Sequence, residues 1–468
     1  MNHTVLYELL LTFSKAELRS FGKFVRSPFF THRLEMERMY ACLARCRYRD
    51  TALPDKAALF KKTFPGRAFD DLLLRATMSD LRELMDEFLI WQKLRADEVR
   101  SKLALASAFR ERNLVKRFRQ TAKKVQAHLE NGKVRNAEYH RNALDYQVEM
   151  AQFQVRTTRT GELPLQVISN SLDTLYLAEK LRHACTQRSH QAVYKTAYGF
   201  GLLPVVLDEV ENGGYLEVPA IALYYFCYRF QTEQSSLPYF QKFRAELQQR
   251  EQLFPDAELK NLYLLAINFC IRKLNEGNEP FIREGWELYR EGLDKGFLLE
   301  HRRLSPFAFN NIAAFGIRLG KFEEVEAFIR EYRHFLEPAQ QESFVSFNLA
   351  RLEYARHNYP AAMRLLQTAD FRDLVNNLIV KTMLLKIYYA IGEFDLLESH
   401  LDTFRIFIRR REVSDYHRRN YLNIITLTKK LTALTPGDKR EKAALRQEIV
   451  ATEVLTEREW LLAQLDGR

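Results

Sequence analysis

Apolar side chains recur at three- and four-residue intervals along almost the whole chain, the spacing of one face of an α-helix. Ser14-Lys15-Ala16-Glu17 has the form of a capping box and leads into Leu18, Phe21, Phe24 and Val25. The Ser27-Pro28 step predicts the end of that helix, because a residue before proline is pushed out of the α region. A second stripe follows at Leu34, Met36, Met39, Tyr40 and Leu43. Pro54-Asp55 opens a short helix that Phe64-Pro65-Gly66 closes. Asp70-Asp71 then begins a long one whose face carries Leu74, Met78, Leu81, Leu84, Met85, Phe88, Leu89 and Trp91. Residues 1–95 read as one N-terminal helical module.

Residues 96–468 read as helical hairpins. Leu103, Leu105 and Phe109 belong to one helix; Leu114, Phe118, Ala122, Val125 and Leu129 form the inner stripe of the next, which Asn131-Gly132 ends. Three similar turns, Gly320-Lys321-Phe322, His357-Asn358-Tyr359 and Gly392-Glu393-Phe394, are spaced 37 and 35 residues apart. A period near 34 residues made of helix–turn–helix units marks stacked hairpins. Further on, Ser414 is placed to cap a helix and Pro436-Gly437 to break the chain. Thr456-Glu457-Arg458-Glu459 reads as a capping box opening a last helix through Trp460, Leu461 and Leu465. The fold class is therefore all-α, an α-solenoid of antiparallel helix hairpins with an N-terminal module and C-terminal capping helices. Only 17 glycines and 13 prolines in 468 residues agree with a chain that is helix nearly throughout.

These hairpins resemble the tetratricopeptide repeat family. Phe309, Ile312, Ala313, Gly320, Phe322 and Ile329 fall at the family's positions in a first unit. Leu349, Ala350, Tyr359, Ala362, Leu366 and Ala369 do so in a second, and Leu384, Tyr388, Gly392, Phe394, Leu401 and Phe404 in a third. Val325 and Leu397 stand where the family usually has a small residue. The whole chain also resembles a family of bacterial helical-repeat proteins through Phe21-Gly22-Lys23-Phe24-Val25-Arg26-Ser27-Pro28-Phe29-Phe30, a resemblance that brings no activity with it. The tetratricopeptide resemblance implies a groove on the first helices of the repeats that binds a peptide or protein partner, with Asn310 and Asn311 as partner-binding amides.

Charge adds a second picture. The net +11 is uneven: residues 1–135 hold 28 Lys+Arg against 16 Asp+Glu, and the remaining 333 are near neutral. Arg100 to Arg135 has 11 basic and 2 acidic residues, and Arg405 to Arg446 has 12 and 4. Arg112, Lys116, Arg119 and Lys123 share one helix face, and Arg409, Arg410 and Arg411 lead the second concentration. Such faces suit the phosphates of nucleic acid or an acidic protein segment, although a charge run is more often simply a solvated helix surface. The short helix from Asp55 followed by the helix with Arg75, Ser79 and Arg82 loosely resembles a helix-turn-helix.

Signals for chemistry are absent. No Walker-type loop, complete dinucleotide fingerprint, Gly-x-Ser-x-Gly elbow or His-Glu-x-x-His pair occurs. Cys42 and Cys46 lack a second ligand pair, and His183 and Cys185 fall on different helix faces. Tyr224-Tyr225-Phe226-Cys227-Tyr228 covers several faces, so some of its rings are candidates to line a groove. The sequence-level expectation is a non-enzymatic interaction scaffold without catalytic residues, cofactor or metal; the alternative is a nucleic-acid-binding or regulatory protein. Five scattered cysteines, the N-terminal sequence and an apolar maximum of only Ala220–Tyr228 lead to the expectation of a cytoplasmic protein without membrane insertion.

Overall fold

The computed structural model describes residues 4–157, 162–194, 196–368, 374–411, 415–435 and 438–467. Ala369, the Ser414 cap and the Pro436-Gly437 break lie outside them. Among the described residues the chain is all-α, with 23 α-helices, three single-turn 3₁₀ helices and one two-residue β-ladder, Leu299–Glu300 with Arg303–Leu304. No helix there is long and apolar enough to cross a membrane. The chain divides into two compact units, Met1–Tyr176 and Leu177–Arg468.

In the first unit, helices α1 (Val5–Thr12), α2 (Lys15–Val25), α3 (Leu34–Arg49), α4 (Lys56–Thr63) and α5 (Asp71–Ala96) close around one core. The starts follow the capping residues. Ser14 Oγ accepts from the Glu17 N–H at 3.2 Å while the Glu17 carboxylate accepts from the Ser14 N–H at 2.8 Å. Asp55 and Asp70 accept from Ala58 N and Leu73 N. Phe21 is the hub of the core, with its ring 5.0 Å from Tyr40, 5.2 Å from Phe88 and 5.9 Å from Phe13. Helices α6 (Glu98–Glu111), α7 (Val115–Asn131) and α8 (Ala137–Thr157) pack together around Phe118, which stacks on Phe153 at 3.9 Å. Leu114 is a correction to the expected inner stripe: it stands at the N-cap of α7 and is 45% exposed. Helix α9 (Leu165–Tyr194) carries the boundary between the units.

The second unit continues with α10 (Leu203–Asn212), α11 (Pro219–Thr232), α12 (Ser236–Arg250), α13 (Asp256–Asn275) and α14 (Glu279–Asp294). It goes on through α15 (Pro306–Arg318), α16 (Phe322–Tyr332), α17 (Pro338–Ala355), α18 (Tyr359–Thr368), α19 (Leu374–Ala390) and α20 (Phe394–Arg410). It ends with α21 (Asp415–Ala433), α22 (Lys439–Ala451) and α23 (Arg458–Asp466). Helices 11 to 20 pack in consecutive pairs, and from α14 onward each second helix also packs on the next first helix.

One turn geometry recurs. Gly277, Gly320, His357 and Gly392 each have φ between 61° and 75°. The N–H of each bonds the carbonyl three residues back, and the N–H that follows bonds the carbonyl five residues before it. This is the left-handed helix stop, which satisfies carbonyls that a helix end leaves without partners. The same pair of bonds turns the chain at Asn113 between α6 and α7. Of the residues read as repeat positions, Phe309, Ile312, Ala313, Ile329, Ala350, Ala362, Leu366, Leu401 and Phe404 are buried, as are Val325 and Leu397, whereas Phe394 is 44% exposed.

Candidate binding groove

The shared turn fixes a register, and two side chains repeat in it. Arg351 and Tyr354 stand six and three residues before the left-handed His357 on α17. Lys386 and Tyr389 stand six and three before Gly392 on α19. Positions three apart share a helix face, so α17 and α19 each present a cation and a tyrosine side by side.

The segment joining α22 to α23 crosses this face. Lys386 Nζ donates to the Glu457 carboxylate at 2.9 Å with only 17% of the lysine side chain exposed. The Trp460 ring meets Tyr389 edge-on, 5.4 Å between centroids at 78°. Arg318, at the end of α15, pairs with Glu459 at 3.6 Å, and Asn423 Nδ2 on α21 donates to the Val454 carbonyl at 2.9 Å. Lys386 also lies 5.2 Å over the Tyr354 ring. Three helices, α15, α19 and α21, thus hold residues 454–460 through two carboxylates, one indole and a backbone carbonyl.

This grip accounts for a second correction. The predicted capping box at Thr456 does not form: α23 begins at Arg458, with Glu457 as its cap in the left-handed region at φ 56° and no side-chain capping bond. A left-handed non-glycine residue costs about 1–2 kcal/mol, and here it turns the Glu457 carboxylate toward Lys386. The Glu459 carboxylate that would have closed the box faces Arg318.

Burial shapes the electrostatics. It pulls the Arg351 guanidinium down to about 10, an effect the Glu457 charge partly offsets. Arg351 has no ion pair with a carboxylate among the described residues. It donates to the Asn310 carbonyl at 3.2 Å and lies 5.6 Å over the Phe347 ring. Burial lifts the Tyr354 hydroxyl to about 12, helped by Tyr359 and Glu457, while a hydrogen bond from the Trp460 side chain opposes the rise. Burial also lifts Tyr421 to about 12, with Glu457 adding to it.

The amides expected to meet a partner are engaged internally. Asn310 Oδ1 accepts from Asn348 Nδ2 at 2.6 Å, and Asn311 Nδ2 donates to the Tyr289 hydroxyl at 3.1 Å. Both therefore tie neighbouring helices together. The aromatic run on α11 does not line a groove: Tyr224, Tyr225, Phe226 and Tyr228 are all buried, with the Tyr224 and Tyr225 hydroxyls on Glu258 and Glu211 at 2.8 Å.

The basic residues divide by environment. On α7, Lys116, Arg117, Lys123 and Lys124 are exposed and form no ion pair among the described residues, and Arg119 lies 5.9 Å over Phe153; Arg112, expected on the same face, is instead the C-cap of α6 and donates to the Ala108 carbonyl. Arg409 and Arg410 close α20, where they complement the carbonyl end of the helix, and Arg411 lies over Phe407. Much of the remaining C-terminal basicity is paired within the unit, as Lys429–Asp402, Lys430–Glu448 and Arg446–Asp466. Both helices of the segment likened to a helix-turn-helix form, as α4 and α5. Arg75 pairs with Asp71 and Arg82 with Asp86, and α5 runs unbroken to Ala96.

Among the described residues no group of three His, Cys, Asp or Glu side chains is placed to hold a metal. Cys185 is buried with its thiol directed to the Tyr224 carbonyl, whereas His183 is exposed. No family model, curated protein or solved structure matches the chain.

Proposed function

We propose that this chain is a non-enzymatic interaction scaffold, a tetratricopeptide-like α-solenoid whose groove across α15, α17, α19 and α21 binds an acidic, aromatic peptide segment. The observation that carries the reading is the chain's own segment from Val454 to Trp460, held by Arg318, Lys386, Tyr389 and Asn423. The groove is thus occupied in cis, and a partner segment of similar chemistry competes with Glu457 and Trp460. Leu461 and Leu465 are fully buried in the core formed with α19 to α22. Each contributes about 1.5–3 kcal/mol, so α23 stays docked while the groove-facing side chains before it are exchanged.

The test uses a fluorescent peptide of residues 452–467 added to the full chain. Glu457→Lys with Trp460→Ala opens the groove without touching Leu461 or Leu465. Saturable binding to this variant, little binding to the wild type, and loss of binding on adding Lys386→Glu are expected. Failure of the folded, opened variant to bind the peptide refutes the proposal.

The nucleic-acid reading is favoured by one observation, the unpaired exposed cations of α7. It requires binding that weakens steeply with salt, with a shallower slope in the Lys116→Ala, Arg119→Ala, Lys123→Ala variant.

A further inference from the structure

Helices α2 and α3 face each other across a cleft of about 530 Å³ in the first unit. Arg19, Lys23 and Arg26 line one wall at helical intervals of four and three, and Arg45 and Arg49, four apart, line the other. Glu37 is the one carboxylate in the lining, and it sits 3.9 Å from Arg26. Gly22, Ala41 and Ala44 keep the space between the walls open. A Cβ on Gly22 would stand 3.1 Å from Tyr40 Cε1, so the glycine also allows α3 its close approach to α2.

Most of the charge is left uncompensated here, whereas several other cations of the unit outside the α7 face are paired. Arg33 pairs with Asp80, Lys56 and Arg75 with Asp71, Arg82 with Asp86, and Arg110 with Glu149. Among the described residues Lys23, Arg45 and Arg49 of the cleft form no ion pair, and Arg19 donates to the Lys15 carbonyl. Tyr40 turns its hydroxyl to the Leu18 carbonyl, whereas Tyr48 stays 40% exposed at the rim. Like charges brought face to face repel one another, and a bound polyanion reverses the sign of that interaction. The sequence Phe21–Phe30 explains how both features coexist. Phe21, Phe24 and Phe30 pack on the core, while Gly22, Lys23 and Arg26 belong to the cleft.

We propose that this cleft binds a phosphate-bearing anion of nucleotide size, its phosphates held by Arg19, Lys23, Arg26, Arg45 and Arg49 and its ring or sugar against Tyr48. The volume lies within the roughly 300–1,000 Å³ of small-ligand sites. Arginine forks suit phosphate oxygens. The site is independent of the peptide groove and of the α7 face.

Binding of three probes to the full chain at low salt, by calorimetry, tests the assignment: tripolyphosphate, ATP without divalent metal, and a ten-nucleotide single-stranded RNA. Arg45→Gln with Arg49→Gln weakens binding at least about tenfold, consistent with the loss of two charge-assisted contacts. Lys116→Glu with Lys123→Glu leaves it unchanged. Binding of tripolyphosphate or ATP supports the site, whereas binding of RNA alone overturns the nucleotide-size assignment. Absence of binding by all three probes overturns it. So does wild-type affinity in a folded Arg45→Gln, Arg49→Gln chain, or loss of binding only in the α7 variant.

Discussion

Gly316→Ala asks whether close backbone approach or helix propensity governs the register of the repeats. Gly316 lies on α15, and a Cβ there would stand 2.3 Å from Val325 Cγ2 on α16 and 2.6 Å from Trp286 Cζ3 on α14. Replacing an interior helical glycine by alanine gains up to about 1 kcal/mol in propensity. Overpacking a well-packed core costs about 1–3 kcal/mol, and the upper part of that range applies because neither neighbour can yield. Val325 is fully buried and stiff at χ1, and Trp286 is nearly so, with its ring enclosed. The net expectation is a loss of about 1–2 kcal/mol, equivalent to a few degrees in melting temperature for a unit of this size. Gly292→Ala is the matched control. Its Cβ would meet Leu298 Cδ1 and Cγ at 3.1 Å, a milder crowding that a few tenths of an ångström relieve, so the change in stability is clearly smaller than at Gly316. Thermal melts of the full chain followed by tryptophan emission report the difference directly, since Trp286 is at the contact. A Gly316→Ala variant melting at or above wild type, or a shift equal to that of Gly292→Ala, refutes the packing argument.

Two further outcomes follow from burial. His140 is held neutral, with its pKa lowered to about 4 mainly by burial and secondarily by Arg135, and its Nε2 is buried without a hydrogen bond. Its folded value lies below the unfolded one, so the contribution is complete above about pH 6.5 and fades as pH falls toward 4. The loss amounts to about 2 kcal/mol by pH 5, and urea midpoints at pH 7 and 5 fall less for His140→Gln than for wild type if this is right. Cys42, Cys185, Cys227 and Cys270 are buried while Cys46 is partly exposed. Burial also pushes the Cys42, Cys185 and Cys270 thiols up. A thiol titration of the native chain therefore shows one fast-reacting cysteine and the other four only after denaturation; several fast thiols would contradict this burial pattern.

Local signals were legible in the sequence because each is decided by a few neighbouring residues. Ser14, Asp55 and Asp70 cap their helices through bonds spanning three residues, and the turns at Gly320, His357 and Gly392 close within six. Leu114 was misread because periodicity alone does not tell the last buried position of a stripe from the cap that precedes the helix. The groove belongs to a different scale. Lys386 and Glu457 are 71 residues apart, and Arg318 and Glu459 are 141 apart. Their pairing depends on how successive hairpins set their faces. A trace was nonetheless present: Arg351-Leu352-Glu353-Tyr354 and Lys386-Ile387-Tyr388-Tyr389 repeat a cation and a tyrosine in one register against the turn. Reading that repetition requires asking which polar and charged positions recur, not only which apolar ones do. The failed capping box at Thr456 is informative for the same reason. A strong local preference was given up there for contacts made across three hairpins, as expected where tertiary interactions outweigh a cap worth about 1 kcal/mol. At Thr456 the local reading thus fails where Glu457 and Glu459 pair with Lys386 and Arg318, which makes Glu457 the residue whose charge reversal tests the proposed groove most directly.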